Sequence, residues 1–173
     1  MTLAIAILLF VTLQRLAELV IAQRNTERLL NRGAVEKSPE HYLVIVVLHA
    51  SWLVGLWWFA PGQDVNVVLL GVFGILQALR IWVLVTLGDR WTTRIIVLPG
   101  EKRITHGPFR FISHPNYAVV VAEIAVLPLV FGLVTFAVVF SLLNAAILVL
   151  RIKAENAALS DAESGGMQAA SST

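Results

Sequence analysis

The chain has 173 residues, 58% of them hydrophobic and only 14% charged, with a mean hydropathy of +0.81. Soluble domains are about half apolar and about a quarter charged, so these values exclude an ordinary soluble domain. The net charge of +2 leaves no electrostatic footprint for nucleic acid. The absence of cysteine excludes disulfides, thiolate metal sites and a cysteine nucleophile.

The first apolar run covers residues 1–22. It lacks a basic leading segment, and Arg15 and Glu18 interrupt its second half, so a retained transmembrane helix is expected rather than a cleavable signal. The second run, 42–60, ends at Pro61-Gly62, and the third, 65–87, ends at Gly88-Asp89-Arg90. The last, 117–150, exceeds the ~20 residues of one crossing. Pro128 and Gly132 offer a turn near its middle, which predicts a tight helical hairpin. Each arm has about 15 residues, or about 22 Å. That is short for a hydrocarbon core of about 30 Å, so the hairpin either spans or re-enters. The expected fold class is an all-α integral membrane protein. It has about five transmembrane helices, the last two forming the hairpin, and an ordered loop before it.

Arg24, Arg28, Arg32 and Lys37 follow the first helix, and Arg90, Arg94, Lys102, Arg103 and Arg110 follow the third. Arg151 and Lys153 follow the fifth, whereas the turns at 61–64 and 128–132 carry no Lys or Arg. The positive-inside rule then places the N-terminus outside and both long loops and the C-terminus in the cytoplasm. A multi-pass protein of a bacterial inner membrane, with its site on the cytoplasmic side, is the expectation. Residues 1–159 read as one membrane domain. The Ser-, Ala-, Gly- and acid-rich stretch 160–173 reads as a disordered tail.

Arg15, Glu18, His49, Arg80, Glu123 and Asn144 lie inside the apolar runs. Measured from the basic ends of the helices, all fall within roughly 6 to 12 Å at 1.5 Å per residue. Charges in hydrocarbon pair or line a cavity. This stratum is either a buried site or a static network with Arg15–Glu18 and Arg80–Glu123 pairs. Farther along, Asn144, Leu148, Arg151 and Glu155 recur every three or four residues and share one helix face. His41, His49, His106 and His114 show no paired-ligand spacing, so no metal site is expected.

The loop 88–117 is long and mixes aromatic with β-branched residues, which favours order over disorder. It holds Arg90-Trp91-Thr92-Thr93-Arg94, a β-like stretch at 95–98, a Pro99-Gly100 turn, Gly107-Pro108-Phe109-Arg110 and Ser113-His114-Pro115-Asn116-Tyr117. Ser113 is the expected cap of the fourth helix and Pro115 lies in its first turn. His114 then sits at a helix N-terminus, where free amides attract an anion. No Gly-x-Gly-x-x-Gly follows a strand, so a Rossmann-type cofactor site is not expected.

Gly107-Pro108-Phe109, then His114-Pro115-Asn116-Tyr117, an apolar hairpin, and Arg151-x-x-x-Glu155 resemble the isoprenylcysteine carboxyl methyltransferase family over residues 88–159. Gln14-Arg15 with Glu18, His41-Tyr42 with His49, the 90–94 motif and Glu123 make the chain similar to a bacterial branch. That branch is associated with type III polyketide synthases and methylates alkylresorcinols or alkylpyrones. The resemblance implies a membrane methyltransferase with S-adenosylmethionine as cofactor and a lipophilic acceptor arriving from the bilayer. It implies that His114, Pro115, Asn116, Tyr117, Phe109, Glu101, Lys102, Arg103, Ile104 and Glu155 bind the cofactor, with Arg94 beside them. It implies that Arg151 faces the acceptor. The chain departs from the family's pattern at Ser113, where Arg is usual, and at Phe109, where Tyr is common. It has a single Glu155 followed by Asn156 in place of an acidic pair.

The chemistry of these residues fits that cofactor independently. A helix N-terminus with His114 suits its carboxylate, Glu155 its ammonium or ribose, and Phe109 and Tyr117 its adenine or sulfonium. Arg151 suits an acceptor oxyanion. A phenol or enol acceptor benefits from a base, for which Glu123 or His41 is placed, with His49 and Arg80 in the same polar layer. Two other classes stay open at this point: a lipid- or quinone-binding membrane subunit and a membrane reductase using a nicotinamide cofactor.

Overall fold

The apolar runs form five helices in the computed structural model, which describes residues 3–37, 40–101 and 104–171. For 40–41 and 156–171 only the backbone is described. Helix α1 spans Leu3–Asn31, α2 Glu40–Phe59, α3 Val67–Leu87, α4 Pro115–Val130 and α5 Val134–Ser171. Among the described residues, four stretches are long and apolar enough to cross a membrane: Leu3–Asn31, Tyr42–Phe59, Val67–Arg90 and Val134–Glu155. Helix α4, with 16 residues, is the shorter apolar element. The protein is a multi-pass membrane protein. Large apolar side chains face outward on all sides, including Trp58 at 81% and Val68 at 78% exposure, as hydrocarbon rather than water demands.

The hairpin is asymmetric. Its second arm is apolar for 22 residues and its first has 16, in place of two equal arms of about 15 residues. The turn lies at 131–133, because Pro128 is accommodated inside the last turn of α4 and Gly132, at φ 69°, closes it. Pro128 has no N–H for the carbonyl of Ile124. The indole of Trp52 on α2 donates to that carbonyl instead, at 3.3 Å. Asn66 caps α3 through its side chain, and its backbone amide donates to Val130 O at 2.8 Å, tying the two turns together.

The apolar core fills the end of the bundle near these turns. Leu8 and Val11 of α1, Trp52 and Leu56 of α2, Phe73 of α3 and Ile124 and Leu127 of α4 meet there. Gly55 lets α2 approach α5. A Cβ at this position would stand 2.6 Å from the Phe136 ring.

The opposite end carries a two-stranded sheet within the otherwise all-helical fold. Strand β1, Val35–Lys37, pairs antiparallel with β2, Ile95–Val97, in the register Val35↔Val97. Ile95 and Val97 pack against Ala154 of α5, which fixes the loop on the last helix. The backbone of α5 is helical to Ser171. The expected tail at 160–173 falls where side chains lie outside the described residues.

Candidate functional site

Asn25 of α1, 3% exposed, anchors the start of the loop after α3. Its amide donates to Gly88 O at 3.2 Å and Trp91 O at 2.9 Å. Arg94 then donates to both Glu36 carboxylate oxygens on β1, at 3.1 and 2.9 Å, and stacks 4.5 Å over the Tyr42 ring. Arg90 pairs with Glu101 at 2.8 Å across the loop. Gly107 has φ 60° and lies so close to α3 that a Cβ would meet Thr86 Oγ1 at 2.7 Å. The turn Gly107–Arg110 follows and leads into α4.

His114, not Ser113, is the N-cap of α4, and its side chain makes no capping bond. Proline disfavours the helical region for the residue before it. Pro115 therefore holds His114 outside the helix and the first helical residue is Pro115 itself. The first-turn amides of Asn116 and Tyr117 have no intrahelical acceptor.

These elements converge on the end of α5. The His114 and Tyr117 rings stack at 5.4 Å, and His114 Nδ1 is 4.0 Å from Glu155 Oε1. Tyr117 donates its hydroxyl proton to the Glu155 carboxylate. Arg151 Nε donates to the same hydroxyl oxygen at 2.9 Å, and Arg151 Nη2 donates to Thr93 O at 2.6 Å. Arg151 is 8% exposed and keeps further donors to spare.

Beside this cluster lies a cavity of about 640 Å³, within the ~300–1,000 Å³ common for small-molecule sites. It brings together Arg94, Glu101, Ile104, Phe109, His114, Pro115, Asn116, Tyr117, Arg151 and Glu155, residues far apart in sequence. Lys102 and Arg103 lie outside the described residues, as does the side chain of His41. Trp91, absent from the sequence-based site, also lines the cavity. The available signal was a lone aromatic inside the polar 90–94 motif.

Two buried polar atoms on this lining have no hydrogen-bond partner, Trp91 Nε1 and Asn116 Oδ1. One is a donor and the other an acceptor, and orphaned buried polar groups are rare. Together with the Glu155 carboxylate, the Arg151 guanidinium and the Phe109 ring, they suit a ligand with amine, carboxylate and heteroaromatic parts. Among the described residues, no three His, Asp or Glu side chains gather as a metal site.

Glu123, Arg80 and His49 do not line this cavity. Sequence reasoning put Glu123 and Arg151 in one site, but residue 123 lies about 9 Å along α4 from Tyr117 at 1.5 Å per residue. Glu123, 1% exposed, accepts from Arg15 at 2.7 Å, Arg80 at 2.8 Å and Gln77 at 2.8 Å. Arg80 also grips Glu18 with two bonds, 2.5 and 2.6 Å, and Arg15 reaches Glu18 at 2.9 Å. Two arginines and two carboxylates thus balance in a closed network. His49 is bonded to Ile45 O of its own helix at 2.9 Å.

The model of the isoprenylcysteine carboxyl methyltransferase family matches residues 67–161, which include α3, the loop, α4 and the cavity-lining turn of α5. The uncharacterized protein YpbQ of Bacillus subtilis (strain 168) is 35% identical over 172 residues, covering 92% of this chain and 96% of that protein. No solved structure matches. On the family match and the near full-length relative, the chain belongs to the isoprenylcysteine carboxyl methyltransferase family.

Proposed function

We propose that this membrane methyltransferase uses S-adenosylmethionine to methylate an oxygen of a lipophilic acceptor. The observation that carries the reading is the single cavity joining the loop, the start of α4 and the Arg151–Glu155 turn of α5. When bound, S-adenosylmethionine supplies an electrophilic methyl group on a sulfonium. The α4 start and His114 suit the cofactor carboxylate, and Glu155 suits its ammonium or ribose. Phe109 and Tyr117 offer aromatic faces. Trp91 Nε1–H and Asn116 Oδ1 complement ring nitrogen and exocyclic amine.

Arg151 is the residue for the acceptor. Its guanidinium is held on one side by Tyr117 and Thr93, which leaves donors for an acceptor oxyanion. With the cofactor bound, Arg151 would hold the acceptor oxygen in line, and the sulfonium would supply the methyl group to it and depart as a neutral thioether. A carboxylate or an ionised alkylpyrone enol needs no base. An alkylresorcinol has a proton to lose as the new bond forms. Glu123 is withdrawn from the role of base by its three donors.

The acceptor's alkyl chain stays in the bilayer and only its head enters the cavity. The cavity belongs on the cytoplasmic side of a bacterial inner membrane, because the basic residues concentrate at its end of the bundle. Transfer of label from the cofactor to a panel of prenylcysteine, alkylresorcinol and alkylpyrone tests the reading. It predicts product with at least one lipophilic acceptor and loss of turnover in Arg151→Ala. Absence of methylated product across the panel, with cofactor unbound, would overturn it.

A further inference from the structure

A second recess, about 350 Å³, opens between the basic ends of α1 and α3. On α1 it is lined by Ile21, Arg24, Asn25 and Arg28, whose spacing puts them on one helix face. Across from them stand Leu84 and Val85 of α3. Ile21 and Val85 are 46% and 75% exposed, on the surface that meets lipid. The recess therefore has an apolar wall toward the hydrocarbon and guanidiniums at the membrane surface.

Its lining holds two arginines against one carboxylate, Asp89, so a net positive charge remains. Arg28 pairs with Asp89 at 3.1 Å, both side chains being well exposed, while Arg24 makes no ion pair among the described residues. Asn25 has its amide donors committed to Gly88 and Trp91 carbonyls, so it shapes the recess rather than serving a ligand. Trp91 forms the wall shared with the larger cavity. It is 4% exposed and its indole N–H is unpartnered.

We propose that this recess is a binding site for an anionic phospholipid. Arg24, helped by Arg28, holds the headgroup phosphate, and an acyl chain runs along Ile21, Leu84 and Val85. Arginine binds a phosphate through parallel N–H donors, which a snorkelling side chain at the membrane surface can present. A zwitterionic lipid has the same phosphate, but its ammonium meets Arg24 with like charge. Free phosphate would forgo the apolar wall.

The site is independent of methyl transfer and is tested without it. The full chain, purified in detergent, is titrated with phosphatidylglycerol and phosphatidylcholine of identical acyl chains and followed by native mass spectrometry. The expected preference for phosphatidylglycerol is about fivefold or more, the ratio that one interfacial arginine supplies. Arg24→Gln should bring that ratio close to one, while Arg110→Gln, at the same end of the bundle but outside the recess, should leave it unchanged. Arg24 is exposed, so its variant should unfold thermally as the parent does. Equal binding of the two lipids by the parent chain would overturn the site. So would an Arg110→Gln loss as large as that of Arg24→Gln, the mark of diffuse surface attraction.

Discussion

The bundle holds two polar clusters built from the same residue types, one closed and one open. In the closed one, Arg15 and Arg80 saturate Glu18 and Glu123, and Glu123 is 1% exposed. The polar atoms left over there are neutral, the amide oxygens of Gln14 and Gln77. In the open one, Tyr117, Arg151 and Glu155 bond in a row along one wall of a 640 Å³ cavity. Ionisable residues inside a membrane are functional suspects by default. Here saturation separates the two cases. A network whose charges satisfy one another has nothing left for a ligand, and one with unused donors beside a cavity has.

The comparison breaks most sharply at Arg80. Arg80→Leu leaves Glu18 and Glu123 buried without their main partner, a loss of about 3–5 kcal/mol. Thermal unfolding in detergent should show a large fall in the midpoint. If the variant unfolds like the parent, the closed network is not structural. Gly107→Ala should have an intermediate effect. The new Cβ would crowd Thr86 Oγ1 at 2.7 Å, at a φ of 60°. The left-handed conformation costs about 1–2 kcal/mol, and relieving the clash moves the turn that carries Phe109. Cofactor affinity, measured by calorimetry, should fall along with stability. Tyr117→Phe is the mildest change. It removes the hydroxyl between Arg151 and Glu155 but keeps the ring stacked on His114. Loss of the two bonds that orient Arg151 and Glu155 predicts roughly a fivefold loss in cofactor affinity, as about 1 kcal/mol gives, and only a small fall in the unfolding midpoint. The opposite pattern would assign Tyr117 to the closed class.

Much of this was legible in the sequence because hydropathy and helical spacing act locally. The apolar runs gave the helices, and the three- and four-residue spacing of Arg151 and Glu155 put both on one face. Pro115 marks the start of α4, and its restraint on the residue before it makes His114 the cap in place of Ser113. Arg15–Glu18 and Arg80–Glu123 were expected as pairs. The crosswise bonds Arg80–Glu18 and Arg15–Glu123 depend on helix rotation, which no single helix encodes. Strand β1 was invisible, since Val35-Glu36-Lys37 is too short to show a period and its partner lies about sixty residues on. Trp91 stands in a legible motif but its place in the site does not show there, because its backbone carbonyl is held by Asn25 on a distant helix.

The central claim is that the cavity beside α5 is the cofactor site, and Glu155 tests it most directly. Calorimetric titration of S-adenosylmethionine into the parent chain should give saturable one-to-one binding. Glu155→Ala should lose tenfold or more in affinity, as expected for a charged hydrogen bond of about 1.5–3 kcal/mol. Its unfolding midpoint should stay near that of the parent, because the glutamate lies at the cavity wall rather than in the closed network. Unchanged affinity in Glu155→Ala, in a folded protein that binds the cofactor, would contradict the account.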